Sequence, residues 1–252
     1  MSSVLYRNLA RVIETWMDYD YKLFFYLMIP VLRRTMFGEL SMQNDLEHLI
    51  KTKNYKAISA ILNNSSVINE KLPNIEQRIR LKEQLKCHNF SWFLDHIWPQ
   101  HFFPTKKRFF GQIKHQSTGY CLQVPSNDIG SNVGRLELVK CVHDSFYKKQ
   151  LFVYDKLGWL MTDDSLCVDV SQLSADDTPV TNGNGRANVI LIACSEQERQ
   201  KWRIEFEANQ VRHVSSGLCL DLKTKTRYLT LRPCESKKSQ LFEFLPINFW
   251  SQ

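Results

Sequence analysis

The sequence predicts a mainly β protein, built from three copies of a four-stranded unit and preceded by an α-helical region. Three observations predict it. A cysteine-containing phrase recurs in the second half, its first cysteines 46 and 52 residues apart, a period within the range of four-stranded units. Composition shifts near Pro104: residues 1–104 hold one glycine, Gly38, whereas the chain beyond falls into short runs divided by Gly, Ser, Asn and Asp. The spacing of apolar residues changes at the same place from a helical period to alternation.

The helical region comes first. Leu9, Val12, Ile13 and Trp16, then Leu46, Leu49 and Ile50, then Phe90, Phe93, Leu94, Ile97 and Trp98 recur at i, i+3, i+4 and i+7, the stripe of an amphipathic helix. The most apolar run, "LFFYLMIPVL" from Leu23 to Leu32, is ten residues long and contains Pro30. It is too short to span a bilayer and lacks the cleavage site of a signal peptide, so no transmembrane or targeting segment is read in the chain.

The β region extends from 105 to 252, with repeats at about 109–154, 155–206 and 207–246. Each copy opens on a short strand, "GQIKH", "GWLMT" or "NQVRH", and turns into a second headed by Cys121, Cys167 or Cys219: "CLQV", "CVDV", "CLDL". A third strand follows, in which Leu136 and Leu138, Val189 and Leu191, and Leu229 and Leu231 alternate inward. Cys141, Cys194 or Cys234 closes it, and Gln150, Gln200 and Gln240 each stand two residues before Phe152, Trp202 or Phe242. Three units make twelve strands. Six of the seven cysteines fall one pair per repeat, Cys121 with Cys141, Cys167 with Cys194 and Cys219 with Cys234. This reads as three local disulfides in an oxidising compartment, with six reduced core cysteines as the alternative. Cys87 has no partner. No CxxC or HxxxH spacing suggests zinc.

A formal charge of +7 makes the chain basic, but Lys and Arg are spread along it without a reading motif or a basic stripe with stacking aromatics. Nucleic acid is therefore not an expected partner.

The three Cys-Leu-Asp and Gln-x-Trp or Gln-x-Phe strands resemble a ricin B-type lectin domain, a β-trefoil, over about Phe109 to Phe244. "RNLARVIETWMDYDYKLFFY" resembles a Trp-Met-Asp segment near the end of the catalytic domain of polypeptide N-acetylgalactosaminyltransferases. "RLKEQLKCHNFSWFLDHIWP" resembles the helix leading into their lectin domain. The resemblance implies that residues 1–104 are a helical remnant of a glycosyltransferase A-type catalytic domain with its linker. Trp16 and the helix around Trp92 should then expose apolar surface. It also implies the secretory pathway, either the Golgi lumen or secretion, and Asn63, Asn64 and Asn89 each begin an N-x-S sequon compatible with it. The stretch from Phe37 to Pro73 has no counterpart in the resemblance and is read as a helical insertion or as the product of an atypical gene model.

In the resembling family, transfer from UDP-N-acetylgalactosamine depends on manganese held by an Asp-x-His pair and a further His. No Asp-x-His pattern occurs in this sequence. Glu47 beside His48 and Asp95 beside His96 are neighbours on helices, pointing about 100° apart. Neither a catalytic nor a metal-binding residue is therefore expected, nor a cofactor in this chain. The family counterpart of Cys87 bonds a catalytic-domain cysteine.

A sugar site needs a carboxylate for hydroxyls, a ring for the C–H face and an amide to finish the network. By resemblance, the first copy has Gln123 and Lys149 at the Asp and Asn positions, with His143 as a weaker candidate. The second keeps Asp169, with Ile192 and Arg199 at the stacking and amide positions and Asn182 and Asn184 as substitutes. The third keeps Asp221, with Arg232 and Ser239 at those positions and Tyr228 as a weaker candidate. Asp169 is expected to contribute most, Asp221 less and Gln123 least. Three functions stay open: a lectin module that binds N-acetylgalactosamine-type carbohydrate or glycopeptide weakly, a truncated or incompletely read form of an active transferase, and a non-binding remnant that engages protein partners.

Overall fold

The protein is described by a computed structural model over residues 3–43, 45–125, 134–142, 146–155, 157–163, 166–171, 188–195, 197–223 and 225–250. It divides into two compact units, Met1–His101 with Asn248–Gln252, and Phe102–Ile247. The last five residues thus group with the helices, whereas the sequence pattern assigned them to the β region.

The first unit holds helices α1 (Ser3–Trp16), α2 (Tyr19–Met28), α3 (Pro30–Gln43), α4 (Leu46–Lys51), α5 (Tyr55–Leu62), α6 (Ser65–Lys71), α7 (Ile75–Gln84) and α8 (Phe90–His96). Pro30 opens α3, where its missing N–H costs nothing. Asp45, Asn54, Asn64 and Asn89 cap α4, α5, α6 and α8 by accepting backbone N–H bonds, each cap contributing about 1 kcal/mol. Two of the sequon asparagines, Asn64 and Asn89, are therefore helix caps. The stretch from Phe37 to Pro73 forms the end of α3, α4, α5 and α6, and α3 kinks at Phe37, beside Gly38.

Burial in this unit includes charge. Glu14 is buried and accepts from Tyr26 Oη at 2.7 Å and Lys22 Nζ at 2.9 Å. Burial, with the neighbouring Glu14 carboxylate, pushes the Tyr26 hydroxyl far above the usual phenol range. Arg33, also buried, donates to the carbonyls of Tyr26 and Leu27 and to Glu47 Oε1. Near the C-terminus, Phe249 stacks on Phe24 at 5.7 Å and Trp250 meets Tyr21 edge-on at 5.9 Å, which fixes the tail by aromatic packing. Val12, Trp16, Phe93 and Ile97 are nevertheless exposed.

The second unit holds strands β1 (Phe109–His115), β2 (Tyr120–Gln123), β3 (Gly134–Arg135), β4 (Glu137–Lys140), β5 (Phe152–Tyr154), β6 (Leu160–Asp163), β7 (Leu166–Ser171), β8 (Asn188–Ala193), β9 (Trp202–Glu205), β10 (Gln210–His213), β11 (Cys219–Leu222), β12 (Leu229–Arg232) and β13 (Phe242–Pro246). Among the described residues there are thirteen rather than twelve, because the third strand of the first repeat breaks at Leu136.

The first and last strands of the repeats close a ring. β1 pairs with β5 and β13, β5 with β6, and β9 with β10. The Trp159–Lys201 bridge joins the β6 and β9 segments, and Phe242 N donates to Asn209 O at 2.8 Å beside β10. The hairpins β2–β4, β7–β8 and β11–β12 meet one another through Arg135 with Ile190, Asn188 with Thr230, and Glu137 with Tyr228. A barrel capped by three hairpins in threefold array is a β-trefoil.

Its core gathers the inward residues of all three copies, among them Leu138, Leu191, Leu231, Phe152, Trp202 and Phe242. Alternation makes this possible, since every second side chain faces inward. Burying each of the three aromatics contributes on the order of 2–3 kcal/mol. At Gly111 a Cβ would lie 2.0 Å from Leu245 O, so the close approach of β1 and β13 requires glycine.

Candidate functional site

The three glutamines before the aromatic strand are buried and do the same work in each repeat. Each sits at the end of a short 3-10 turn, Lys148–Gln150, Glu198–Gln200 or Lys238–Gln240. Its side-chain nitrogen donates to the residue two after the first cysteine: Gln150 to Gln123 Oε1 at 2.9 Å, Gln200 to Asp169 Oδ2 at 2.8 Å, Gln240 to Asp221 Oδ2 at 2.9 Å. A second bond reaches the carbonyl of Lys140, Ala193 or Pro233, and the amide oxygen accepts from the N–H of Val142, Ser195 or Glu235. A primary amide supplies both donors and the acceptor that this corner needs, which a carboxylate cannot. One disulfide closes each corner, Cys121–Cys141, Cys167–Cys194 and Cys219–Cys234, while Cys87 is free and exposed.

The acceptors differ. Gln123 is neutral. Asp169, 1% exposed, receives three bonds: Oδ2 accepts from Gln200 and from Arg199 Nε at 3.1 Å, and Oδ1 from the Val170 N–H. Arg199, at the amide position, thus neutralises the carboxylate of the second repeat. Asp221 is 3% exposed and bonded by Gln240, and among the described residues no cation forms an ion pair with it.

Tyr228, the weaker candidate of the third repeat, carries two cation–π contacts. Its ring lies 4.5 Å from the Arg135 guanidinium and 5.7 Å from that of Arg227, and Arg227 pairs with the buried Glu137 at 2.9 Å. Cation–π contacts on this scale hold the ring in the hairpin array. His143, Asn182 and Asn184 lie outside the described residues. Reasoning from sequence missed the Arg199–Asp169 pair. Its signal was the position of Arg199 immediately before the glutamine that binds the aspartate.

The residues considered for manganese do not fit a site. Glu47 bonds Arg33, and His96 Nδ1 lies 3.0 Å from Trp92 O with its ring stacked on Trp92. Among the described residues no three His, Cys, Asp or Glu side chains gather. No helix among the described residues is long and apolar enough to cross a membrane.

The same threefold plan appears in known proteins. Along 94% of its length the chain is homologous to polypeptide N-acetylgalactosaminyltransferases: it is 27% identical over 241 residues to number 6 of Mus musculus, covering 31% of that protein. Over 239 residues it is 27% identical to number 13 of Homo sapiens, covering 34%. It therefore spans about a third of the length of these curated relatives. A crystal structure of GalNAc-T7 with UDP, GalNAc and Mn2+ shares the fold, with a TM-score of 0.52 at 23% identity over 96% of this chain and 35% of the other. Residues 109–242, more than half the chain, match the ricin-type beta-trefoil lectin domain. With its three glutamine corners, three disulfides and hairpin-capped barrel, the chain belongs to the ricin-type beta-trefoil lectin family.

Proposed function

We propose that this chain serves as the carbohydrate-binding module of a polypeptide N-acetylgalactosaminyltransferase-like protein in the lumen of the secretory pathway, and that Asp221 is its sugar contact. The observation that carries the reading is the contrast between the two aspartates. Both are oriented by a buried glutamine, but Asp169 is also held by Arg199 whereas Asp221 has no cation partner among the described residues. A carboxylate held by neutral donors keeps its capacity to accept sugar hydroxyls, and such charge-assisted bonds are the strong ones. Three disulfides suit an oxidising lumen. The relatives' names supply the ligand class, N-acetylgalactosamine alone or on a glycopeptide.

Titration calorimetry of the full chain with N-acetylgalactosamine and a glycopeptide bearing it tests the reading. Binding should fall about tenfold or more in Asp221→Asn and persist in Asp169→Asn. Undiminished binding by a folded Asp221→Asn variant removes Asp221 from the site, and no binding to either ligand by the parent chain removes the lectin reading itself.

A further inference from the structure

The third repeat differs from the others in its charge as well as its carboxylate. Residues 222–238 contain six Lys or Arg, namely Lys223, Lys225, Arg227, Arg232, Lys237 and Lys238, against one acid, Glu235, and all six cations are exposed. Arg227 is paired with Glu137, and Lys237 with Glu235. Lys223, Lys225, Arg232 and Lys238 form no ion pair among the described residues. This is not an ordinary solvated face of mixed sign.

Strand register places part of this charge around Asp221. β11 and β12 pair Cys219 with Arg232, Asp221 with Thr230 and Leu222 with Leu229. Leu220, Leu229 and Leu231 face the core and Leu222 packs against it. Alternation then puts Cys219, Asp221, Lys223, Thr230 and Arg232 on the opposite face, where Cys219, Asp221 and Thr230 are buried and Lys223 and Arg232 are exposed. Lys223 and Arg232 consequently stand on either side of Asp221 along the hairpin. The Gln240–Asp221 bond brings the turn Lys238–Gln240 against the same carboxylate, which adds Lys238. One buried acceptor of hydroxyl hydrogens is thus flanked in register by two exposed cations, and the turn whose glutamine binds it carries a third.

A neutral sugar offers those cations only uncharged hydroxyl and carbonyl oxygens, whereas an anionic substituent offers charge-assisted bonds. We infer that the third repeat selects a saccharide bearing an anionic substituent, a sulfate ester or a carboxylate, with Asp221 accepting a ring hydroxyl and Arg232, Lys223 and Lys238 taking the anion. The inference rests on the lectin reading above and narrows its ligand. Arg232 is the residue that sets specificity: a guanidinium offers paired N–H donors to two anionic oxygens. The aspartate excludes free anions from the centre of the site by like-charge repulsion and admits them only at its rim, as part of a ligand that also presents hydroxyls.

Titration calorimetry of the full chain decides it with five probes: N-acetylgalactosamine, its 4-sulfate, its 6-sulfate, glucuronic acid and inorganic sulfate. The sulfated or carboxylated sugar should bind at least about tenfold tighter than the neutral one at physiological salt. The preference should shrink as salt rises, and Arg232→Gln should reduce it to near parity. Lys238→Gln, also exposed, should reduce it in part. A gain for only one of sulfate ester and carboxylate identifies the substituent. Equal binding of neutral and anionic sugars overturns the inference while leaving the lectin reading intact. Inorganic sulfate binding as tightly as the sulfated sugar overturns it too, as does a preference that survives in a folded Arg232→Gln variant. Failure of every sugar, charged or neutral, to bind overturns both.

Discussion

The second and third repeats carry the same chemical phrase and use it differently. In both, a buried glutamine holds an aspartate two residues after a disulfide-bonded cysteine. In the second, the residue before the glutamine is Arg199, and its guanidinium closes on Asp169. In the third it is Ser239, and among the described residues no cation forms an ion pair with Asp221. One side chain beside a repeated motif thus decides whether the motif's carboxylate is ion-paired within the fold. The balance is electrostatic: a nearly buried carboxylate gains most from the partner that reaches it.

The contrast can be broken hardest at the glutamines. Gln240→Ala strands a buried carboxylate, a carbonyl and an N–H and should cost about 3 kcal/mol or more in denaturant unfolding, and Gln200→Ala, which leaves Asp169 its bonds from Arg199 and the Val170 N–H, should cost somewhat less. Gln150→Ala, whose acceptor Gln123 is neutral, should cost clearly less. Equal costs across the three repeats would mean that the charge of the acceptor does not matter. Next comes the cation: Arg199→Ala should destabilise by about 1–2 kcal/mol, since Arg199 is itself 40% exposed and screened by solvent. Arg232→Ala should stay within about 0.5 kcal/mol. Matching losses would erase the distinction between the two repeats.

The smallest effect is a pH dependence that ties the first repeat to the third. His115, at the end of β1, is buried and bonds Thr118 Oγ1 at 2.9 Å. Burial lowers its pKa below the ordinary 6.5, offset in part by the Ser239 backbone and Asp221. The folded chain therefore keeps it neutral where the unfolded chain takes a proton. Its share of stability is full above the unfolded value of about 6.5 and is lost as pH falls through that value towards the folded one. Thermal melts from pH 8 to 5 should show the decline, and His115→Gln should flatten it. An unchanged slope in that variant would assign the effect to other groups.

Legibility differed between the two units for a physical reason. In the β unit, strand alternation and a repeat period are local or periodic properties, so residue type and spacing alone place Leu138, Leu191 and Leu231 in one core and match the cysteines. In the helical unit the stripes located helices but not their partners: Val12 and Trp16 lie on α1's predicted apolar stripe yet are exposed, while Glu14 and Arg33 are buried. Buried charge depends on donors arriving from other helices, as Tyr26 and Lys22 do for Glu14, and no single-helix pattern reports that.

By itself the sequence determined the threefold plan, the strands that carry it, the disulfide-compatible cysteine pairs and the presence of carboxylates in two copies only. These follow from residue type and spacing along a few consecutive positions. The tertiary structure added that Asp169 is already paired, that the Tyr228 ring takes contacts from Arg135 and Arg227, and that the third strand of the first repeat breaks at Leu136. Arg199 and Asp169 are 30 positions apart. Whether they meet depends on how a 3-10 turn docks on a hairpin, and the free energy of that contact, set by burial and by bond geometry over a few ångströms, leaves no periodic trace in the chain.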